Sequence, residues 1–143
     1  MAHRERVEVT FGDVDMMGHV NHAAYFTYFE AARTNYYLAL KGLKAPWDRN
    51  ELDLIVARAS CDYRRGLVWG EHVEVVVWPS RVGQTSFTFG YAIVDAKGEV
   101  VAVGETVQVS FDYGKQAKKP IPPAVRRALE VEAARGPGLQ LPA

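Results

Sequence analysis

The sequence has a single cysteine, no excess of either charge and no long apolar run, and each absence excludes a class of protein. Cys61 is the only cysteine among 143 residues, so no disulfide can form within the chain. Seventeen basic residues balance seventeen acidic ones, which gives no general attraction to nucleic acid or to anionic membrane. No stretch resembles a membrane helix, and the N-terminus lacks the apolar run of a signal peptide. We therefore expect a cytoplasmic protein in a reducing setting.

Two sequence motifs of common enzyme classes are also missing. There is no Gly-x-Ser-x-Gly elbow, which argues against an α/β-hydrolase, and no phosphate-binding loop of the nucleoside-triphosphatase kind. Cys61 lies in an apolar strand-like run with no helix start nearby, so we expect an inert thiol.

The length and composition indicate one globular domain. Apolar residues make up 48% of the chain and charged residues 24%, which is ordinary for a folded protein. We predict one domain over residues 1–135 and a frayed tail over 136–143. A chain without net charge also tends to self-associate, which favours a homo-oligomer.

The first half of the chain predicts a strand, a loop and a long helix. Residues 4–11 alternate and place Val7, Val9 and Phe11 on one face of a half-buried strand. A loop follows over 12–21, and residues 22–41 have helical spacing. We expect Asn21 to cap this helix, Gly42 to end it, and its broad apolar surface to be buried. The apolar positions are Tyr25, Tyr28, Phe29, Ala31, Ala32, Tyr36, Leu38 and Leu40.

The second half predicts a meander of strands. Four strand-like runs follow a surface excursion at 43–53, and a tight turn at residues 95–98 joins the last two strands as a hairpin. The runs are roughly 54–65, 72–78, 85–94 and 99–111, with a short helix at about 124–134. One long helix against an antiparallel sheet is an α+β arrangement. Residues 100–103 are apolar on both faces, which predicts that a partner subunit covers them.

The segment most informative about chemistry runs over residues 11–25 and reads FGDVDMMGHVNHAAY. Asp13 and Asp15 come just ahead of the predicted helix start, where free N–H groups and partial positive charge can stabilise an oxyanion. A carboxylate beside such a site can attack a carbonyl or deprotonate a water. Thioesters are the natural target because they react without a metal, and Gly18 lets the backbone approach a ligand.

The pattern of this segment resembles the signature of a known family. It reads Asp13-x-Asp15-x-x-Gly18-His19-Val20-Asn21, then Tyr25-x-x-Tyr28-x-Glu30-x-x-Arg33. Later matches are Tyr63-Arg64-Arg65, Arg81-x-Gly83-x-x-Ser86-Phe87 and Pro120-Ile121-Pro122. Together they resemble the acyl-coenzyme A thioesterases of the 4-hydroxybenzoyl-CoA thioesterase type, over about residues 5–130. The resemblance implies the hotdog fold, a long central helix wrapped by a five-stranded antiparallel sheet, assembled as homodimers or homotetramers.

The resemblance also implies roles for single residues. Asp15 would be the catalytic carboxylate, as nucleophile or as general base, and a backbone amide near His22 would polarise the thioester carbonyl. Asp13 is expected to hold the loop, while Glu30 either pairs with Arg33 or replaces Asp15 as the catalytic group. The sequence departs from the family at His22, where a second asparagine is common. It departs again at Gly66, where proline is common and where we expect only a changed strand bend.

A wider set of residues is predicted to bind the acyl-CoA substrate. Five of them would line the thioester site or share its loop, and four basic ones would contact the coenzyme A phosphates. The set is Gly18, His19, Asn21, His22, Tyr25, Arg58, Arg64, Arg81 and Lys118. The histidines at 19 and 22 do not share a helix face, so we expect no metal and no cofactor beyond the coenzyme A of the substrate.

Two alternatives remain open from the sequence. A hotdog acyl-CoA dehydratase would use His19 with Glu30 on a hydroxyacyl chain. A non-catalytic acyl-CoA binding protein would need no carboxylate near an acyl carbonyl, so Asp15 beside Gly18 argues against it.

Overall fold

A computed structural model describes residues 2–40 and 53–142. The elements are β1 (His3–Glu8), a 3₁₀ turn (Phe11–Asp13), α1 (Ala24–Ala39), β2 (Leu54–Tyr63), β3 (His72–Val82), β4 (Ser86–Val94), β5 (Val100–Asp112), β6 (Ala117–Lys118) and α2 (Pro123–Arg135). The predicted helix stop at Gly42 and most of the excursion at 43–53 lie outside the described residues. Of the helices in the described ranges, none is long and apolar enough to cross a membrane.

The strands form one antiparallel sheet in the order β1-β3-β4-β5-β2, with β6 paired to β5. This confirms the predicted α+β hotdog class, with six strands rather than five. The extra strand is only Ala117–Lys118, which pairs with the end of β5. The predicted turn at residues 95–98 joins β4 to β5, and Gly98 takes a positive φ of 85° there.

The core lies between α1 and the inner face of the sheet. Alternate residues of β4 are buried in it, as the period of two predicts: Phe87, Phe89, Tyr91 and Ile93. Phe29 of α1 stacks on Tyr91 with ring centroids 4.3 Å apart. Gly104 of β5 leaves room for this stack, because a Cβ there would lie 2.5 Å from the Phe29 ring.

Helix α1 buries one side and leaves the other open. The buried positions include the predicted line of Tyr25, Phe29, Ala32 and Tyr36. Ala31 is exposed and Leu38 is 51% exposed, so the prediction that they widen the buried stripe is wrong. The helix packs mainly on β1 and β3 and much less on the edge strand β2, so these strands cover only part of its girth.

The outer face of the sheet carries a second, smaller apolar cluster. Its buried members are Val76, Trp78, Ala92 and Val94, and Ala2, Val100, Val103 and Leu139 pack against it. Leu139 belongs to the tail that was predicted to be frayed, and here it covers part of the sheet. The apolar run at 100–103 is therefore divided between the two faces of one chain and does not require a partner subunit.

The first strand is shorter than its alternation predicts. Val9 is fully buried, but β1 ends at Glu8 and the chain turns away from the sheet over Phe11–Asp13. Phe11 is consequently 74% exposed and does not share the buried face of Val7 and Val9. It contacts the ring of Trp69 edge-on, with centroids 5.5 Å apart.

Candidate active site

The loop after β1 is a small hairpin that ends at the start of α1. Val14 and Val20 form a bridge, and the Asn21 N–H donates to the Asp13 carbonyl at 2.8 Å. At the tip, the Gly18 N–H donates to the Asp15 carbonyl at 3.1 Å, and Gly18 has a φ of 83°. Glycine accepts this left-handed conformation without strain, so the turn can close tightly. The geometry places Asp15 at the first position of the turn.

The Asp15 carboxylate is exposed and only partly engaged. Its Oδ1 accepts the Met17 N–H at 2.9 Å, while no described residue donates a hydrogen bond to its Oδ2. The first bond fixes the direction of the side chain. The second oxygen is left open to water or to a ligand.

Asp13 is held far more firmly. Its Oδ2 accepts hydrogen bonds from the Thr10 N–H at 3.0 Å, the Thr10 hydroxyl at 3.1 Å and the Tyr28 hydroxyl at 2.9 Å. Burial acts to raise the pKa of Asp13, but these bonds outweigh it and the pKa lies below its usual value. Asp13 thus ties the 3₁₀ turn to helix α1, which is the structural part expected of it.

Replacing Asp13 with asparagine should destabilise the protein by about 1 kcal/mol, a value discounted for the solvent near this carboxylate. The pKa of Asp13 is lowered in the folded state, so its contribution is present above the unfolded-state pKa and is lost as the pH falls through the folded-state pKa. Urea unfolding of both proteins should show a stability gap at neutral pH that narrows in acid. A gap of the same size at both pH values would contradict this assignment.

The start of α1 presents a free backbone donor. Asn21 Oδ1 accepts the Ala23 N–H at 2.9 Å in a turn ahead of the helix. The helix begins at Ala24 with Ala23 as N-cap and no side-chain cap, so the prediction that Asn21 caps it is wrong. The His22 carbonyl accepts the Tyr63 hydroxyl at 2.8 Å, whereas the His22 N–H donates to none of the residues described. The carbonyl that shares a peptide group with this N–H is that of Asn21, which accepts the Ala24 N–H at 2.9 Å, so the peptide is held by the first turn and its N–H stays available.

His19 lies against Gly66, and this contact corrects the expectation for that glycine. A Cβ on Gly66 would lie 2.8 Å from Cδ2 of the His19 ring, so the missing side chain makes room for the imidazole. The neighbouring Leu67 carbonyl accepts the Val20 N–H at 2.8 Å, and the Leu67 backbone acts to lower the pKa of Tyr25, which burial raises. The segment at 66–67 thus fixes the loop onto the helix.

The structure brings the loop and helix-start residues of the predicted site together, but it places three of the four predicted basic residues elsewhere on the sheet. The residues that share the loop and helix start are Asp15, Gly18, His19, Asn21, His22 and Tyr25. Arg64 follows Tyr63 directly, so it lies near the residue that holds His22. The other three basic residues are placed by the sheet register.

Two of those basic residues, Arg58 and Arg81, lie on the outer face of the sheet, away from α1. Arg58 pairs with Val107, Val107 with Thr88, and Thr88 with Arg81, so all four side chains share a face. That face is the outer one, since the neighbouring residues of β4 point inward. Within one chain, Arg58 and Arg81 therefore lie on the face of the sheet opposite to α1, and their contact with coenzyme A stays a prediction.

Lys118 is also remote from the loop. It pairs with Phe111 at the end of β5, where β2 starts at Leu54. The loop contacts the opposite end of β2, at Tyr63. One chain alone therefore does not bring Lys118 to the helix start.

Two features of the site were not predicted from the sequence. The hydroxyl of Tyr63 holds His22, and its ring packs edge-on against Tyr25 with centroids 4.7 Å apart. Exposed apolar side chains also form a rim on this loop and on the segment before β3, where Phe11 contacts Trp69: Phe11, Met16, Met17, Val68 and Trp69. The adjacent methionines in an otherwise polar turn were the one local sign of this rim.

The described residues contain neither a cluster of three potential metal ligands nor a thiol that ionises readily. Residues 2–40 and 53–142 contain no group of three side chains that could hold a metal ion. Burial raises the pKa of Cys61 to about 11, which keeps the thiol protonated and unreactive at neutral pH.

The chain is similar to known proteins in sequence and in fold. The family model of the thioesterase-like superfamily matches residues 9–129. The uncharacterized protein YsmA of Bacillus subtilis is 35% identical over 112 residues, which are 77% of this chain and 74% of YsmA.

Two solved structures share the fold. A Thermus thermophilus thioesterase complexed with coenzyme A and Zn is 32% identical with a TM-score of 0.79, covering 93% of this chain and 95% of that one. The DHNA-CoA thioesterase of Staphylococcus aureus, at 22% identity, has a TM-score of 0.84 and covers 98% of this chain and 97% of its own. With the family model spanning nearly the whole fold, the chain belongs to the thioesterase-like superfamily.

Proposed function

We propose that the protein hydrolyses acyl-CoA thioesters to the free acid and coenzyme A. One observation carries the proposal: Asp15 presents an open carboxylate oxygen on the loop that leads directly to the unpaired N–H of His22. The similarity to a thioesterase that is complexed with coenzyme A supports the same ligand class.

The amide of His22 supplies the electrophilic half of the reaction. When the thioester carbonyl lies at the helix start, the N–H donates to its oxygen and the helix dipole favours the negative charge that develops there. The Asn21 carbonyl in the same peptide group accepts the Ala24 N–H, and the Tyr63 hydroxyl holds the next peptide through the His22 carbonyl. The donor is therefore oriented before the substrate arrives.

Asp15 supplies the other half by one of two routes. As a general base, it takes a proton from water while the water oxygen attacks the carbonyl carbon, and the C–S bond breaks as the coenzyme A sulfur gains the proton. As a nucleophile, its oxygen forms a mixed anhydride and releases the thiolate, and water then cleaves the anhydride. Both routes consume one water and yield an acid and a thiol.

Release of free coenzyme A separates this function from its alternatives. We expect a thiol-detecting reagent to report hydrolysis for at least one ester of a panel with acetyl, medium-chain, long-chain and aryl groups. A dehydratase would remove water from the acyl chain and leave the thioester intact, and a binding protein would release nothing. No release above the spontaneous rate with any ester would refute the proposal.

Exposed cations are proposed to bind the coenzyme A phosphates, with Arg64 the first candidate because it follows Tyr63. Salt screens such contacts, so the KM should rise with ionic strength while kcat changes little. Arg64→Gln should raise the KM more than the matched outer-face variant Arg81→Gln. Equal use of pantetheine esters that lack the nucleotide would show that phosphate contacts are irrelevant.

The active form is proposed to be a cytoplasmic homodimer or homotetramer. Strand β2 is an edge of the sheet within one chain, and Val56 on it is 49% exposed, so it is available for pairing. Light scattering at micromolar concentration should give at least twice the chain mass of 15.9 kDa. A stable and active monomer would contradict this expectation.

A further inference from the structure

A cleft separates helix α1 from the edge strand β2. Its volume is about 270 Å³, and its walls include Tyr37, Leu54 and four polar residues: Glu30, Arg33, Thr34 and Gln108. Glu30 and Thr34 are exposed, so Arg33 and Gln108 are the two polar residues deep in the cleft. Polar side chains deep in a cleft fix the orientation of what binds there. The hydrogen-bond donors and acceptors that these two side chains leave unpaired therefore indicate which chemical group the cleft accepts.

Gln108 has an unused hydrogen-bond acceptor inside the protein. The residue is fully buried, its Nε2 donates to the Phe87 carbonyl at 3.3 Å, and its Oε1 has no partner among the described residues. The buried neighbours on the same face of β5 are paired, with Thr106 bonded to Tyr91 and Ser110 to the Pro120 carbonyl. An unpaired buried acceptor costs stability, so a donor from a ligand would be favoured here.

Arg33 offers donors in the same cleft. Its side chain is only 12% exposed; Nη1 donates to the Tyr91 hydroxyl at 3.1 Å, and Nη2 lies 3.9 Å from the exposed Glu30. A guanidinium has five N–H donors, more than these two partners use. The wall of the cleft thus holds a buried acceptor and donors together. A hydroxyl group matches both, whereas a carboxylate would leave Oε1 unpaired and a methyl group would satisfy neither.

The cleft lies along the same helix and strand as the thioester site. Arg33 is nine residues beyond the helix start at Ala24, which places it about 14 Å along the axis. Strand β2 runs from Leu54 at the cleft to Tyr63 at the helix start, and its inward positions between them include the small Ala59 and Cys61. An extended acyl chain of medium length, such as lauroyl, spans this distance.

We propose that the cleft binds a hydroxyl at the far end of a medium-length acyl chain, with Gln108 as acceptor and Arg33 as donor. This inference rests on the proposed thioester hydrolysis and names its substrate class, the ω-hydroxyacyl thioesters.

The test compares ω-hydroxylauroyl-CoA with lauroyl-CoA. The wild-type kcat/KM should favour the hydroxylated ester by about tenfold, the worth of one buried hydrogen bond. Gln108→Met keeps the size of the side chain and removes the acceptor, so it should abolish this preference. The matched variant Gln84→Met, at an exposed glutamine, should keep it.

Binding of the free acids tests hydroxyl recognition by the cleft independently of thioester hydrolysis. Calorimetry should show that ω-hydroxylaurate binds the wild type more tightly than laurate does, with no difference in Gln108→Met, even if no ester is hydrolysed. Hydrolysis of both esters at equal efficiency by the wild type, with equal binding of both acids, would overturn the pocket and leave thioester hydrolysis standing. If Gln108→Met fails to fold, the ratio of the wild-type kcat/KM values for ω-hydroxylauroyl-CoA and lauroyl-CoA tests the proposal alone.

Discussion

Asp15→Asn is expected to lower kcat by about 10²–10⁴-fold, the contribution of a positioned general base. Asparagine keeps the size of the side chain, and its oxygen can still accept the Met17 N–H that orients Asp15. The open oxygen loses its charge, so neither proton transfer from water nor attack on the carbonyl remains. Steady-state hydrolysis should show the loss in kcat with little change in KM or melting temperature.

Asp13→Asn is the matched control, because it makes the same chemical change two residues away. Its carboxylate is occupied by Thr10 and Tyr28, so the variant should lose more stability than turnover. If Asp13→Asn lost turnover and Asp15→Asn did not, the two assignments would have to be exchanged.

Gly104→Ala should destabilise the protein by about 3 kcal/mol, at the upper end of the cost of overpacking a core. The new Cβ would lie 2.5 Å from the Phe29 ring and 2.6 Å from the Ser60 carbonyl oxygen on the neighbouring strand. The ring stacks on Tyr91 and the carbonyl belongs to the sheet backbone, so neither can move away freely. Urea unfolding measures the loss.

Gly12→Ala is the control for that substitution. A Cβ at Gly12 would have no atom within 4 Å, so the change in stability should stay below about 0.5 kcal/mol. Equal stability of Gly104→Ala and Gly12→Ala would show that the Phe29 stack is looser than described.

The parts of the fold that depend on local periodicity were predictable from the sequence. The alternation of Phe87, Phe89, Tyr91 and Ile93 assigned the inner face of β4, because side chains alternate along any strand. The same rule failed at Phe11, since alternation cannot show where the chain leaves the sheet. It also could not show that Leu139 covers the outer face near Val94 and Val100, which is a contact between distant segments.

For the candidate site too, features within one short loop were predictable, whereas contacts between distant segments were not. Asp15 and His22 were predictable together because a single short loop carries both. The sequence could not show that Arg58 and Arg81 lie on the outer face, because their face follows from the register of three strand pairs. The cleft between Arg33 and Gln108 was not predicted at all, because those residues meet only when the sheet packs on the helix.

The central claim is that the loop carboxylate, and not the helix carboxylate, performs the hydrolysis. The most direct measurement is coenzyme A release by Asp15→Asn and Glu30→Gln, side by side with the wild type. Glu30 is exposed and lies 3.9 Å from Arg33, so its variant should keep most of the wild-type kcat, while Asp15→Asn should lose at least about a hundredfold. Retention of activity by Asp15→Asn together with its loss in Glu30→Gln would place the chemistry on the helix and contradict the account.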